Sequence, residues 1–220
     1  MTSGFLDARL WFWWDQIEFV LQATLRPRVT LPVPGGSWDT RLDGPERRAA
    51  ATAEFIALCK TVSDHAKHDL IRALAQAADV DIPPQPPDRY APMSWSQVRQ
   101  LEARGLAFGP HTVTHPILSK ADDAQASYEI IESWNRLRTE SQRPLPIFCY
   151  PNGRLADFGA REIRTLQELG FTGAVTGEAG YPSNGDRFRM PRFAYQDDVR
   201  HTLQYVNGFE RLKQGLRASQ

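Results

Sequence analysis

An α/β fold with a largely parallel sheet is what this 220-residue sequence predicts, on two observations from its second half. Three short apolar runs, "LAFG" at 106–109, "LPIFCYP" at 145–151 and "FTGAVT" at 171–176, have the length and residue types of buried strands. Stretches of helical periodicity stand between them, so each strand returns to the sheet through a crossover. The chain is long enough for one domain with a substantial core. Its 41% hydrophobic and 24% charged residues are ordinary for a globular protein.

Leu10, Trp13, Trp14, Ile17 and Leu21 recur at helical spacing and predict an amphipathic helix over 9–24. Pro27, Pro32, Pro34 and the Gly35-Gly36 pair then make a loop, with a short strand at Arg28–Leu31. Helices follow over Pro45–Val62, where Pro45 suits a first turn, and over Asp64–Asp79. Five prolines in "DIPPQPPDRYAP" break the chain at 81–92. The stretch from about 33 to 92 reads as a helical insertion and proline-rich spacer within a single domain spanning 1–220. Beyond it, "SWSQVRQLEARG" is a helix ending on Gly105, and Asp122-Asp123 open another that runs to about Glu140. "FGAREIRTLQELG" is a helix stopped by Gly170, "RFRMPRF" is extended, and "DDVRHTLQYVNGFERL" is a closing helix.

Charge narrows the partners. Lys plus Arg equals Asp plus Glu at 26 each, which argues against a nucleic acid or an anionic membrane held by bulk charge. Two cysteines, Cys59 and Cys149, make neither a disulfide framework nor a cysteine zinc site, and Cys149 reads as a small buried hydrophobe. The apolar N-terminal stretch is interrupted by Asp7, Arg9, Asp15 and Glu18, well short of the roughly 18 uninterrupted residues of a membrane helix. It also lacks the plan of a signal peptide, so the chain has no visible address and is cytoplasmic by default. The cluster Trp11, Phe12, Trp13 and Trp14 has two readings, core at helical spacing or a stacking wall for sugars.

In "FGPHTVTHPIL", His111 and His115 are four apart and bracketed by Pro110 and Pro116. One helical turn would put both rings on one side, and Pro116 should end that turn at His115. Two neutral imidazoles held this way, just after a strand of an α/β fold, suit zinc or a similar divalent ion. Two ordinary turn histidines remain the other reading, and "HAKH" at 65–68 illustrates it as a solvated helix face.

"GLAFGPHTVTHPILSKAD", preceded by "WSQVRQLEARG" and followed by "FCYPNG", resembles the polysaccharide deacetylase family, the NodB-homology or carbohydrate esterase 4 group. Its second motif is a His-Ser/Thr-x-x-His turn, and its third an aromatic strand ending in Pro-Tyr-Gly or a variant. The likeness runs from about Ser94 to Arg192, and more weakly to "TSGFLDARLWFWWD". It implies a distorted (β/α)7-type barrel and metal-dependent removal of acetyl groups from a polysaccharide or its precursor. His111 and His115 would be two of three protein ligands to a divalent cation, zinc above all, which polarises the acetyl carbonyl and lowers the pKa of a bound water. Tyr150 and Pro151 would lead the strand into a cleft that binds a carbohydrate polymer or oligosaccharide. There the backbone N–H of Asn152 would serve the oxyanion. Arg192 resembles an arginine that some members bring near the acid–base group. His201 lies near the end of the chain where many members carry a general-acid histidine.

One family motif is absent: Thr-Phe-Asp-Asp, which supplies the general base and the third metal ligand. The Asp pairs that do occur, Asp122-Asp123 and Asp197-Asp198, stand at predicted helix starts as caps. If "TSGFLD" follows the second barrel strand, the chain starts after strand 1, helix 1 and most of strand 2. Such a barrel is incomplete at the N-terminus, with an open sheet edge and a weaker metal site. Two readings follow: a deacetylase whose missing motif lies upstream, or a non-catalytic remnant that binds carbohydrate or is completed by a partner.

Overall fold

The computed structural model describes residues 1–7, 11–182, 185–193 and 199–208. Two hydrophobic clusters organise it. The first belongs to a helical unit near the N-terminus. A one-turn helix α1 (Ser3–Leu6) precedes α2 (Trp13–Ala23), and α2 buries Trp13, Ile17, Val20 and Leu21 against α3 (Gly44–Cys59) and α4 (Asp64–Ala78). Leu10 of the predicted stripe lies outside the described residues. Pro45 sits in the first turn of α3, the Ser63 hydroxyl accepts from Ala66 N–H at the start of α4, and Asp79 ends α4 in the left-handed region at φ 58°.

The short strand predicted at Arg28–Leu31 is present, and the predicted proline loop around it is a hairpin. Strands β1 (Arg28–Val33) and β2 (Gly36–Arg41) pair antiparallel from Arg28 opposite Arg41 to Val33 opposite Gly36. Pro34 and Gly35, the latter at φ 87°, make the connection. Strand β1 alternates properly, burying Val29 and Leu31 against the first cluster. Strand β2 is Gly-Ser-Trp-Asp-Thr-Arg, with too few apolar residues to show a period of two.

The second cluster gathers the rest of the chain. Helix α5 (Trp95–Ala103) opens on a reciprocal capping box between Ser94 and Gln97, and Gly105 follows it at φ 96°. Asp122 accepts Gln125 N–H at 2.8 Å to cap α6 (Asp123–Glu140), the capping role expected of this carboxylate. Strand β3 (Ile147–Cys149), helix α7 (Ala160–Glu168) and strand β4 (Gly173–Val175) form one parallel βαβ unit, with Ile147 opposite Gly173. Helix α8 (Val199–Val206) closes the described chain.

The parallel sheet is narrow but extends on both sides. The predicted strand "LAFG" is reduced to a single bridge, Phe108 to Pro144, continued by Cys149 N–H donating to Pro110 at 3.1 Å. Gly109 permits this approach, because a Cβ there would stand 2.3 Å from the Ile147 carbonyl. Met190 bridges Val175 on the other side, where an extended segment was expected. Residues 1–4 run beside 109–113: Met1 N donates to Gly109, His111 N–H to Met1, and Ser3 N–H to Thr112. Donation before and acceptance after one partner residue is the pattern of a parallel pair. The architecture is thus mixed α/β, and no closed barrel occurs among the described residues.

Candidate active site

A cleft of about 320 Å³ opens between the two hydrophobic clusters. The helical unit contributes Trp13, Trp14, Ile56 and Lys60 to its walls, and the sheet side contributes His111, His115, Asn152 and Arg192. Four predicted site residues therefore meet in one place.

The His111–His115 segment is not the helical turn that its spacing suggests. No helix is assigned to it, and Thr112 and His115 adopt φ 64° and 61°. Pro116 makes the right-handed helical basin costly for His115, and the chain takes the left-handed one. The Thr112 hydroxyl accepts His115 N–H at 3.0 Å and closes the loop. The rings still meet, with centroids 4.7 Å apart and planes at 80°. Asn152, at φ 54°, is the third of only four non-glycine residues with positive φ among those described, so unusual backbone concentrates at this cleft.

Each imidazole is held neutral. His111 Nδ1 lies 2.6 Å from the Cys149 carbonyl, which only accepts, so Nδ1 carries the proton and Nε2 keeps its lone pair. Burial pushes the His111 pKa well below its ordinary value, and His115 and Arg192 add to the effect. Burial likewise takes His115 down to about 4, with Lys67 and Lys60 contributing and its own carbonyl opposing. His115 Nδ1 is buried and finds no partner on any other described residue. It is an orphaned polar atom beside a second open imidazole.

Glu129 organises the loop, and sequence reasoning missed it. Its carboxylate is 1% exposed and accepts Val113 N–H at 2.7 Å, Thr114 N–H at 2.9 Å and the Thr114 hydroxyl. Burial outweighs these donors and raises its pKa. The signal was present: Glu129 interrupts the buried stripe Ala126, Ile130, Ser133, Trp134 and Leu137 of α6. A carboxylate on an apolar stripe needs donors, and here the histidine loop supplies them.

After β3 the chain turns through Tyr150-Pro151-Asn152-Gly153. Tyr150 is fully buried, stacked on Phe158 at 3.6 Å, with its hydroxyl donating to the Phe188 carbonyl at 3.0 Å. Pro151 is buried too, and neither residue lines the cleft. Asn152 does, and its backbone N–H is bonded to no described residue. Gly153 and Gly177 fix the turn's position, because a Cβ on Gly177 would stand 2.2 Å from the Asn152 carbonyl. Arg192 reaches the cleft from just past Met190. The side chain of His201 and the pair Asp197-Asp198 lie outside what is described. His65 and His68 lie on α4 beside Asp69 and Asp64, with side chains 90% and 41% exposed, as a solvated face requires. The N-terminal aromatics divide: Trp11 and Trp13 are 5% exposed, whereas Phe12 stacks on Trp14 at 4.4 Å and Trp14 packs edge-on to His115 at 4.6 Å.

A family model described as polysaccharide deacetylase matches residues 63–174, just over half of the chain. The chain belongs to the polysaccharide deacetylase family. The match takes in both histidines, Glu129 and Asn152 of this deacetylase-family chain. No curated protein matches it significantly. Two solved structures are similar. The Streptococcus pyogenes deacetylase PplD in complex with acetate is 23% identical, with a TM-score of 0.44 over 50% of this chain and 48% of that one. IcaB from Ammonifex degensii is 20% identical, with a TM-score of 0.44 over 52% of each chain. The chain thus spans about half the length of these structures.

Among the described residues no third His, Cys, Asp or Glu joins the histidine pair as a metal-binding group. Nor is any described helix long and apolar enough to cross a membrane.

The depressed histidines predict how the metal-free chain responds to acid. Between about pH 6.5 and 4 the unfolded chain binds protons that folded His115 refuses, so stability falls as pH falls through that window. Because His115 is partly exposed, the loss is on the order of 2 kcal/mol. Urea unfolding with a chelator present, at pH 7 and 4.5, should show a smaller loss for His115→Gln than for wild type. Equal losses would contradict the assignment.

Proposed function

We propose that the chain carries the metal-holding side of a deacetylase site and acts on acetyl groups of a polysaccharide or its precursor. One observation carries this reading: inside the family-matched stretch two neutral imidazoles, one with an orphaned nitrogen, share a cleft with Asn152, whose backbone N–H is bonded to no described residue. The donor set suits a borderline divalent cation, zinc foremost, with His111 and His115 as its ligands from this chain. When bound, such an ion supplies Lewis acidity toward the acetyl carbonyl. Asn152 N–H donates to the carbonyl oxygen as it gains negative charge. The Cys149 carbonyl holds His111 in the tautomer that leaves Nε2 open, and Glu129 holds the loop carrying both rings. Arg192 adds positive charge beside His111, and His201 stands as a candidate proton donor to the leaving sugar amine or hydroxyl. The sheet segments from 109 to 190 are read as an arc of a (β/α) barrel, with residues 33–92 inserted before it.

A second reading has its own support. Among the described residues no third His, Cys, Asp or Glu joins the histidine pair, and a carbohydrate-binding or partner-completed remnant needs none. Acetate release from acetylated oligosaccharides by the zinc-supplemented chain separates the two. Turnover that a chelator abolishes and zinc restores is expected of the deacetylase. Sugar binding without acetate release, whichever divalent metal is added, would leave the remnant.

A further inference from the structure

The charge around the cleft points to a kind of substrate. Its charged lining residues, Lys60 and Arg192, are both cationic, in a chain whose net charge is zero. Neither forms an ion pair with a described carboxylate, although Asp or Glu partners engage cations at many other places on the chain. Lys60 follows α3, and the Lys120 ammonium donates to the Lys60 carbonyl, so a second lysine adjoins Lys60 just outside the cleft lining. Lys120 and Lys60 also line the recess behind His115. The remaining cation of that recess, Lys67, is buried against Asp64 and so already committed. The positive field of the cleft comes from its Lys and Arg side chains, and a divalent cation would strengthen it. Trp14, edge-on to His115 and stacked on Phe12, gives the cleft an aromatic wall.

We propose that the cleft selects an acetylated sugar bearing an anionic substituent, a carboxylate or a phosphate, with Lys60 and Lys120 as its anion contacts and Trp14 as its stacking face. This rests on the deacetylase-site reading and adds the substrate class. A lysine ammonium meets either anion as a point charge with rotatable donors.

The test uses the full zinc-supplemented chain and calorimetric titration with four probes: a neutral N-acetylated oligosaccharide, one of equal length carrying a uronic acid, one carrying a sugar phosphate, and inorganic phosphate alone. At least tenfold tighter binding of one or both anionic sugars over the neutral one is expected. That preference should shrink as salt rises from about 50 to 300 mM. It should also disappear in Lys60→Gln/Lys120→Gln, whose fold is checked by thermal melting. Trp14→Ala should weaken all three sugars alike. Equal binding of neutral and anionic sugars would overturn the proposal while leaving the deacetylase reading intact. So would a preference that survives the double lysine variant, or inorganic phosphate binding as tightly as the sugars. Failure of every sugar to bind would overturn both.

Discussion

Zinc affinity is expected to fall about a hundredfold when His115 is replaced by alanine, and by a similar factor for His111→Ala. Zinc at a protein site with four ligands is worth roughly 10–16 kcal/mol, so one ligand accounts for about 3 kcal/mol, or two powers of ten. The orphaned Nδ1 makes His115 the more informative of the two. Its removal leaves no described hydrogen bond of that ring unmet, so lost affinity reflects lost ligation. His65→Ala is the matched control: its imidazole also has a histidine neighbour on the chain, but it is 90% exposed on α4 and should leave affinity unchanged. Competition against a chromophoric chelator reads all three. A His115→Ala affinity within twofold of wild type would remove the metal pair from the site.

The second large effect belongs to Glu129. Truncation to alanine strands two backbone N–H groups and a hydroxyl that now donate to its carboxylate. Each donor left unsatisfied costs about 1–3 kcal/mol, so Glu129→Ala should destabilise the chain by roughly 3 kcal/mol or more. The loop carrying both histidines then loses its fixed geometry, and zinc affinity should drop about tenfold or further. Glu129→Gln should behave differently. Its carbonyl can take both backbone donors that Oε2 now accepts, while its amide donates to the Thr114 hydroxyl. Burial already disfavours the carboxylate's charge, so a neutral isostere should stay within about 1 kcal/mol of wild type. Denaturant unfolding and zinc titration of the pair decide the matter. If glutamine were as damaging as alanine, the role would lie in the charge and not in the loop geometry.

How much was legible in the sequence follows the physics of each element. Helices α3 to α7 were readable because their apolar faces repeat and their ends carry Pro45, Ser63, Ser94, Asp122 and Gly170 in recognised positions. The hairpin was half readable: β1 alternates in hydrophobicity, whereas β2 alternates only in exposure, since its half-buried face holds Thr40 and little apolar beyond Trp38. The strand at 106–109 was overestimated because a composition suited to burial does not by itself supply a ladder partner. Phe108 has only one bridge. The motif reveals the histidines but not their conformation: four-residue spacing suggests a helical turn, and says nothing of the positive φ that Thr112 and His115 adopt. Glu129 escaped because its partners are main-chain groups fifteen and sixteen positions away. Lys60 escaped for a related reason: it is far in sequence from Arg192 and the histidines and meets them only across the cleft.

The contacts that set this cleft are mostly with the peptide chain itself. A carbonyl of residue 149 orients His111, amides of 113 and 114 anchor to Glu129, and residue 152 lines the cleft with its amide bonded to no described residue. Such an arrangement is tolerant of evolutionary drift, because position 149 or 113 can change its side chain without touching the bond it contributes. The same arrangement makes the constellation a gauge of the whole sheet. A displacement of β3 by a few tenths of an ångström would be transmitted to the imidazole with nothing in between to absorb it.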